Sequence, residues 1–129
     1  MGRVLIVDDN AANRRVLEAF CEAFGLTVEQ AGSGARALDI LRRGPQDGAN
    51  LEEPFGIILM DVHMPDRDGV SVAREILARR LSDAPIVAVT ADTTEETKRR
   101  CLESGMVEVV HKPVRVGTVA PVLCRYFEF

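Results

Sequence analysis

Residues 56–69 read GIILMDVHMPDRDG. The run from Gly56 to Met60 is apolar without polar alternation and too short for a helix, so it reads as a strand covered on both faces, the signature of a parallel sheet. Asp61 follows it directly, a bare carboxylate at the edge of the buried layer. Working outward, similar runs recur at Val4–Val7, Ile86–Thr90 and Val107–His111, with a less apolar one at Leu26–Ala31. Amphipathic stretches alternate with them. In the first, Val16, Leu17, Phe20, Cys21 and Phe24 make one apolar stripe, with Asn10 placed as N-cap and Gly25 as the residue that ends the helix. The second runs from Gly34 to Arg43 with Leu38 and Leu41 inward. The third, Ser71 to Leu81, turns Ala73, Ile76, Leu77 and Leu81 inward. The fifth opens at Thr118, carries Val119, Val122, Leu123 and Tyr126, and holds Pro121 in its first turn. The fourth, Thr93 to Ser104, offers only Cys101 and Leu102 for burial, and its Glu95–Arg99 and Glu96–Arg100 spacings add only about 0.3 kcal/mol each. That helix is weakly anchored, and weak anchoring is where movement is cheapest.

Five strand–helix alternations predict a three-layer doubly wound α/β fold of the (βα)5 flavodoxin-like kind, with a parallel five-stranded sheet in the order 2-1-3-4-5. The 129 residues suit one domain spanning 1–129. At 47% hydrophobic and 28% charged, the composition excludes disorder and coiled coil, and a net charge of −4 argues against a nucleic-acid surface. No apolar run approaches a membrane span, and acids arrive before a signal-peptide core can form, so a soluble cytoplasmic domain is expected. Cys21, Cys101 and Cys124 are far apart and each lies in an apolar helical stretch. They read as small buried hydrophobes. Residues 44–54 read as a polar surface insertion.

The strand ends carry the chemistry. Strand one runs into Asp8–Asp9, strand three into Asp61, strand four ends at Thr90, and strand five runs into Lys112, so the fold gathers three carboxylates, a hydroxyl and an ammonium at one edge. Such carboxylates repel one another, and a hard divalent cation bound through oxygen removes that penalty. Few ligands and room for water suit Mg²⁺ better than Ca²⁺. With Mg²⁺ and Lys112 the charge sums to zero, leaving a pocket for a phosphoryl oxyanion with Thr90 as hydrogen-bond partner. Taken alone, Asp8–Asp9 also reads as a solvated pair capping helix one. Lys112 stands out because only Lys98 and Lys112 among 16 basic residues are lysine. A compact ammonium suits a phosphoryl oxygen.

VLIVDDN (4–10), GIILMDVHMPDRDG (56–69), VAVTAD (87–92) and VVHKPV (109–114) together resemble the receiver domain of two-component response regulators, over essentially the whole chain and in order. The resemblance implies that Asp61 accepts a phosphoryl group from a phosphohistidine, and that Asp8, Asp9, Asp61 and the backbone carbonyl of His63 hold Mg²⁺. It also implies that Thr90 contacts the phosphoryl group and swings inward, and that Lys112 neutralises it beside a cis Lys112–Pro113 bond. Met64–Pro65 and Asp68–Gly69 fit the family's turn after the acceptor. The implied partners are a sensor histidine kinase or a histidine phosphotransfer protein, docking near Ala11, Ala12 and Arg15, with the chain a monomer or weak dimer. The implied activity is Mg-dependent self-phosphorylation and autodephosphorylation, not turnover as an enzyme. The start of helix one resembles receivers of hybrid histidine kinases.

One departure stands out. Val109 occupies the position where the family usually has an aromatic residue three before the lysine, which implies either a smaller conformational response or a role as phosphoryl relay rather than output switch. His63 and Asp92, two residues after Asp61 and Thr90, sit where the family tunes phosphoryl loss, whereas His111 points to the opposite face of its strand. Gly32–Ala37 matches a dinucleotide fingerprint but follows the wrong strand and reads as a glycine-rich helix entry. Residues 64–69 with Glu75 mimic a calcium loop, but Met64 stands in its first ligand position. A dehalogenase-type phosphatase needs an aspartate where His63 stands. The alternative from another class is a receiver-shaped interaction module that is never phosphorylated. The aromatic tail of Tyr126, Phe127 and Phe129 either finishes the core or marks a junction or dimer contact.

Overall fold

The computed structural model describes residues 2–43 and 54–129, so the insertion read at residues 44–54 lies, except for Pro54, outside the described residues. Strands β1 (Arg3–Val7), β2 (Thr27–Ala31), β3 (Ile57–Asp61), β4 (Ile86–Thr90) and β5 (Glu108–His111) alternate with helices α1 (Ala11–Ala23), α2 (Gly34–Arg43), α3 (Gly69–Ala78), α4 (Glu95–Glu103) and α5 (Val116–Tyr126). The strands form one parallel sheet in the order β2-β1-β3-β4-β5, as the sequence predicts.

The strand period of two decides which face each residue covers. Val4, Ile6, Ile57, Leu59, Val87, Val89 and Val110 pack with Leu17 and Cys21 of α1 and Val119, Val122 and Leu123 of α5. Leu5, Val7, Ile58, Met60, Ile86 and Ala88 face the other way, onto Leu38 and Leu41 of α2, Ile76 of α3 and Cys101 of α4. β3 and β4 are buried throughout, whereas β2 is an edge strand with Thr27 exposed. Among the described residues no helix is long and apolar enough to cross a membrane.

Several local expectations are corrected. α3 begins two residues before Ser71 because Asp68 caps it through the Val70 N–H at 2.7 Å. It ends before Leu81, where Arg80 takes φ 53°, although Leu81 still packs against the core. α5 starts at Val116, since Thr118 is its third residue and folds back, accepting from the Arg115 N–H at 3.0 Å and donating to the Arg115 carbonyl at 2.8 Å. Pro121 therefore lies inside the helix, beyond the first turn. Val16, Leu77 and Leu102, inward by their spacing in the sequence, are 42–43% exposed. The inward stripe of each helix is narrow, and neighbours Leu17, Ile76 and Cys101 fill it. Cys124 is likewise exposed, because Val119, Val122 and Leu123 take the buried side of α5.

α4 is held differently than its sequence suggests. Arg99 reaches Glu96 and Glu103, and Arg100 leaves its own helix to meet Asp68 at 2.8 Å. Its buried residues are Thr97 and Cys101. In the tail, Tyr126 and Phe127 pack against the α1–α5 side of the core, while Phe129 is exposed and its ring centroid lies 5.4 Å from that of Phe24.

Gly69 marks where the strand-end loop meets the sheet. A Cβ there would stand 2.2 Å from the Asp61 carbonyl oxygen, and the Gly69 N–H donates to Val62 at 2.7 Å. A Cβ on Gly117 meets nothing within 4 Å. Gly69→Ala should therefore lower stability by ~2 kcal/mol or more, while Gly117→Ala should raise it by ~0.5 kcal/mol, both read from urea unfolding midpoints.

Candidate functional site

The strand order reverses between β1 and β3, which opens a crevice at their carboxyl ends. Val7 pairs in register with Met60, so one step further along both strands Asp8 comes level with Asp61. Asp61 closes β3, Thr90 closes β4 and Lys112 follows β5. Three separate crossovers thus deliver their polar residues to one edge.

Asp8 and Asp61 are almost wholly buried, at 1% and 4% exposure, and Asp9 is exposed. One carboxylate oxygen from each lies within 4.8 Å of the others. Lys112 Nζ donates to Asp61 Oδ1 at 3.3 Å and stands 3.1 Å from Asp8 Oδ2. Asp8 Oδ1 accepts from the Asn10 N–H at 2.8 Å, but Asp8 Oδ2 is buried without a hydrogen-bonded partner. Burial, and then the negative charge of Asp8, push the Asp61 carboxyl up to about 6, against the pull of Lys112. Burial works to lower the Lys112 ammonium's pKa, yet Asp8 and Asp61 outweigh it and hold the pKa above its ordinary value. The cluster is therefore short of positive charge, and an oxygen-preferring divalent cation fits it: the donors are all carboxylate, and the buried Asp8 Oδ2 has acceptor capacity left beyond its ion pair with Lys112.

Thr90 is buried, and its hydroxyl oxygen accepts from the Asp92 N–H at 3.0 Å, which leaves the hydroxyl proton to donate. The Asp92 carboxylate accepts from Thr94 N–H and Oγ1 at 2.9 and 2.7 Å and from Thr97 Oγ1 at 2.7 Å, so it shapes the start of α4. Those hydrogen bonds hold its carboxyl far below the usual range. His63 is exposed, and its Nε2 lies 3.3 Å from Asp92 Oδ2, linking the β3–α3 and β4–α4 loops. The sequence named both residues, but no spacing between them foretold the contact. His111 is exposed at the far edge. Val109 is partly buried against the core beneath α2–α4, and Lys112–Pro113 is cis.

Two supports of the site were not legible in the sequence. The Asp66 carboxylate accepts from the N–H groups of Gly34 and Ala35 at 3.2 and 3.0 Å, so the start of α2 is filled by an aspartate from the β3–α3 loop. This agrees with reading Gly32–Ala37 as a helix entry. Asp68 serves α3 and Arg100, so Asp66 and Asp68 are turned to separate helices and form no calcium cage. On the other side, Arg14 donates to the Asp8 carbonyl at 2.6 Å.

A raised Asp61 pKa fixes the sign of a pH effect. The metal-free folded chain holds a proton near pH 5 that the unfolded chain, titrating near 3.8, has released. Stability should therefore fall as pH rises through the window from about 4 to 6 and level off above it. Asp61→Asn should remove that slope. Thermal melts of metal-free protein should show the variant more stable than wild type by on the order of 2 kcal/mol at about pH 7, the gap closing toward about pH 4.

The family model described as the response regulator receiver domain matches residues 4–121. The autoinducer 2 sensor kinase/phosphatase LuxQ of Vibrio vulnificus is 36% identical over 113 residues, covering 88% of this chain and 12% of the relative's length. The chain thus spans about an eighth of that protein. Among solved structures, the chemotaxis protein CheY4 of Vibrio cholerae superposes with a TM-score of 0.85 at 26% identity, over 98% of this chain and 99% of that one. The receiver domain of the sensor histidine kinase PA1611 of Pseudomonas aeruginosa PAO1, solved with a magnesium ion in its active-site cleft, gives a TM-score of 0.78 at 31% identity over 98% of both chains.

Proposed function

Since this chain belongs to the response regulator receiver domain family, we propose that it is a phosphoryl acceptor in two-component signalling, with Asp61 as the acceptor. The observation that carries this reading is the single ammonium of Lys112 set between two buried carboxylates, 3.3 Å from Asp61 and 3.1 Å from Asp8.

An Asp61 oxygen attacks phosphorus as the bond from phosphorus to the donor imidazole nitrogen breaks, and the electron pair leaves with the imidazole. The result is an aspartyl phosphate. Lys112 neutralises the transferred group from the β5 side, and the Thr90 hydroxyl donates to one of its oxygens. Asp8, Asp9, Asp61 and the backbone carbonyl of His63 would hold magnesium, which supplies the positive charge the carboxylates lack and screens the incoming phosphoryl oxygens. The magnesium-bearing cleft of the PA1611 receiver supports this choice of ion. The partner is a phosphohistidine on a sensor kinase or a phosphotransfer protein. The face around Ala11, Ala12 and Arg15, all exposed at the start of α1, is where it docks. The full span 1–129 serves as one receiver unit, and the kinase relative supports a place beside a histidine kinase. Val109 supports relay over switching, because the small side chain leaves no aromatic ring to rotate with Thr90.

Incubation with acetyl phosphate and magnesium should add the mass of one phosphoryl group to the intact protein, and none to Asp61→Ala. No added mass, or addition that survives Asp61→Ala, contradicts the acceptor reading and favours a module that works by binding alone. On the relay reading, beryllofluoride should leave the amide NMR shifts of residues 91–110 nearly unchanged; large shifts there would count against it.

A further inference from the structure

We propose that Arg14 is a positioning residue for the magnesium-binding turn, acting on Asp8 and Asp9 through the peptide group that joins them. The proposal rests on the magnesium-dependent reading above and deepens it.

Arg14 lies in the first turn of α1, partly buried, and its fork spans two strands. Nη1 donates to the Asp8 carbonyl oxygen at 2.6 Å, and Nε donates to Gln30 Oε1 on β2 at 3.0 Å. The remaining handles on Asp8 are also held. Its N–H donates to the Ala31 carbonyl at 3.1 Å, and its Oδ1 accepts from the Asn10 N–H at 2.8 Å. Only Asp8 Oδ2 is left, and it faces Lys112.

The Asp8 carbonyl shares a rigid plane with the Asp9 N–H and Cα. Gripping that oxygen fixes the plane's rotation, and with it the position of the Asp9 N and Cα from which the Asp9 side chain starts. Asp9 is the exposed member of the carboxylate cluster, so little packing holds it and the placement of its backbone counts for more. Arginine suits the task because its planar fork meets two acceptors at once, whereas a lysine ammonium is a single flexible point. Gly32 adds an independent observation: a Cβ there would stand 3.3 Å from Arg14 Nη1. The first glycine of the Gly32–Ala37 stretch thus leaves room for the guanidinium.

Calorimetric titration of the whole chain with magnesium chloride tests this, using Arg14→Ala, Arg14→Lys and Gln30→Ala, with Arg36→Ala on the exposed face of α2 as control. Arg14→Ala should weaken magnesium binding roughly 10- to 100-fold, the size of loss typical when a ligand's supporting partner is removed. Arg14→Lys should recover part of the affinity. Gln30→Ala, which keeps the grip on Asp8 and removes only the second acceptor, should lose less in the same direction. At saturating magnesium the acetyl phosphate rate of Arg14→Ala should return to within about twofold of wild type, since only the ion's affinity has changed. A purely structural role would lower the melting temperature and leave the affinity of the folded protein alone. Wild-type affinity in Arg14→Ala or in Gln30→Ala, or a rate that saturating magnesium does not restore, overturns the proposal while the acceptor reading stands. A wild-type chain that binds no magnesium overturns both.

Discussion

Two carboxylates, Asp8 and Asp61, lie almost fully buried side by side at the end of a parallel sheet, with one ammonium between them. Burial and repulsion make that arrangement costly, and the raised Asp61 pKa expresses the cost. A purely structural sheet end has no reason to keep it, because apolar residues of similar volume stabilise a core as well or better than a buried charge cluster. The cluster carries more negative charge than its one ammonium balances, which is the condition an added cation would relieve.

The scaffold confines the imbalance to one place. Parallel pairing sets the carboxyl ends of β1, β3, β4 and β5 along one edge, and the reversal of strand order opens the crevice beside Asp61. The loops that leave those ends are tied down by charges from distant elements. Asp66 enters the start of α2, Arg100 of α4 reaches Asp68 at the start of α3, and Arg14 of α1 grips the Asp8 carbonyl. None of these ties touches the carboxylate cluster's inner face, yet together they set the turns that present it. Asp92 extends the site toward α4, because its N–H rests on the Thr90 hydroxyl while its carboxylate holds Thr94 and Thr97.

The order of elements, the strand order and the polar residues at the strand ends were legible in the sequence, because short unbroken apolar runs and abrupt polar endings are local patterns. Asp61 after GIILM and Lys112 after VEVVH need no knowledge of contacts to be noticed. What escaped depends on contacts between residues far apart. The sequence offered Arg100 a partner one turn away in Glu96, but the fold offers Asp68. Hydrophobic spacing could not tell Leu77 from Ile76, or Cys124 from Leu123, because which of two neighbouring apolar positions faces the sheet is set by docking and not by periodicity. Arg14 and Asp66 look like ordinary surface charges until their carbonyl and amide partners are brought beside them.

The central claim is that the cluster around Asp61 is electrostatically incomplete without a divalent cation. A carboxyl-carbon NMR titration of Asp61, run with and without magnesium, measures this directly. The expected midpoint is near 6 in the metal-free protein, falling by at least about one unit when magnesium is present. A midpoint near the ordinary 3.8, unmoved by magnesium, would contradict it.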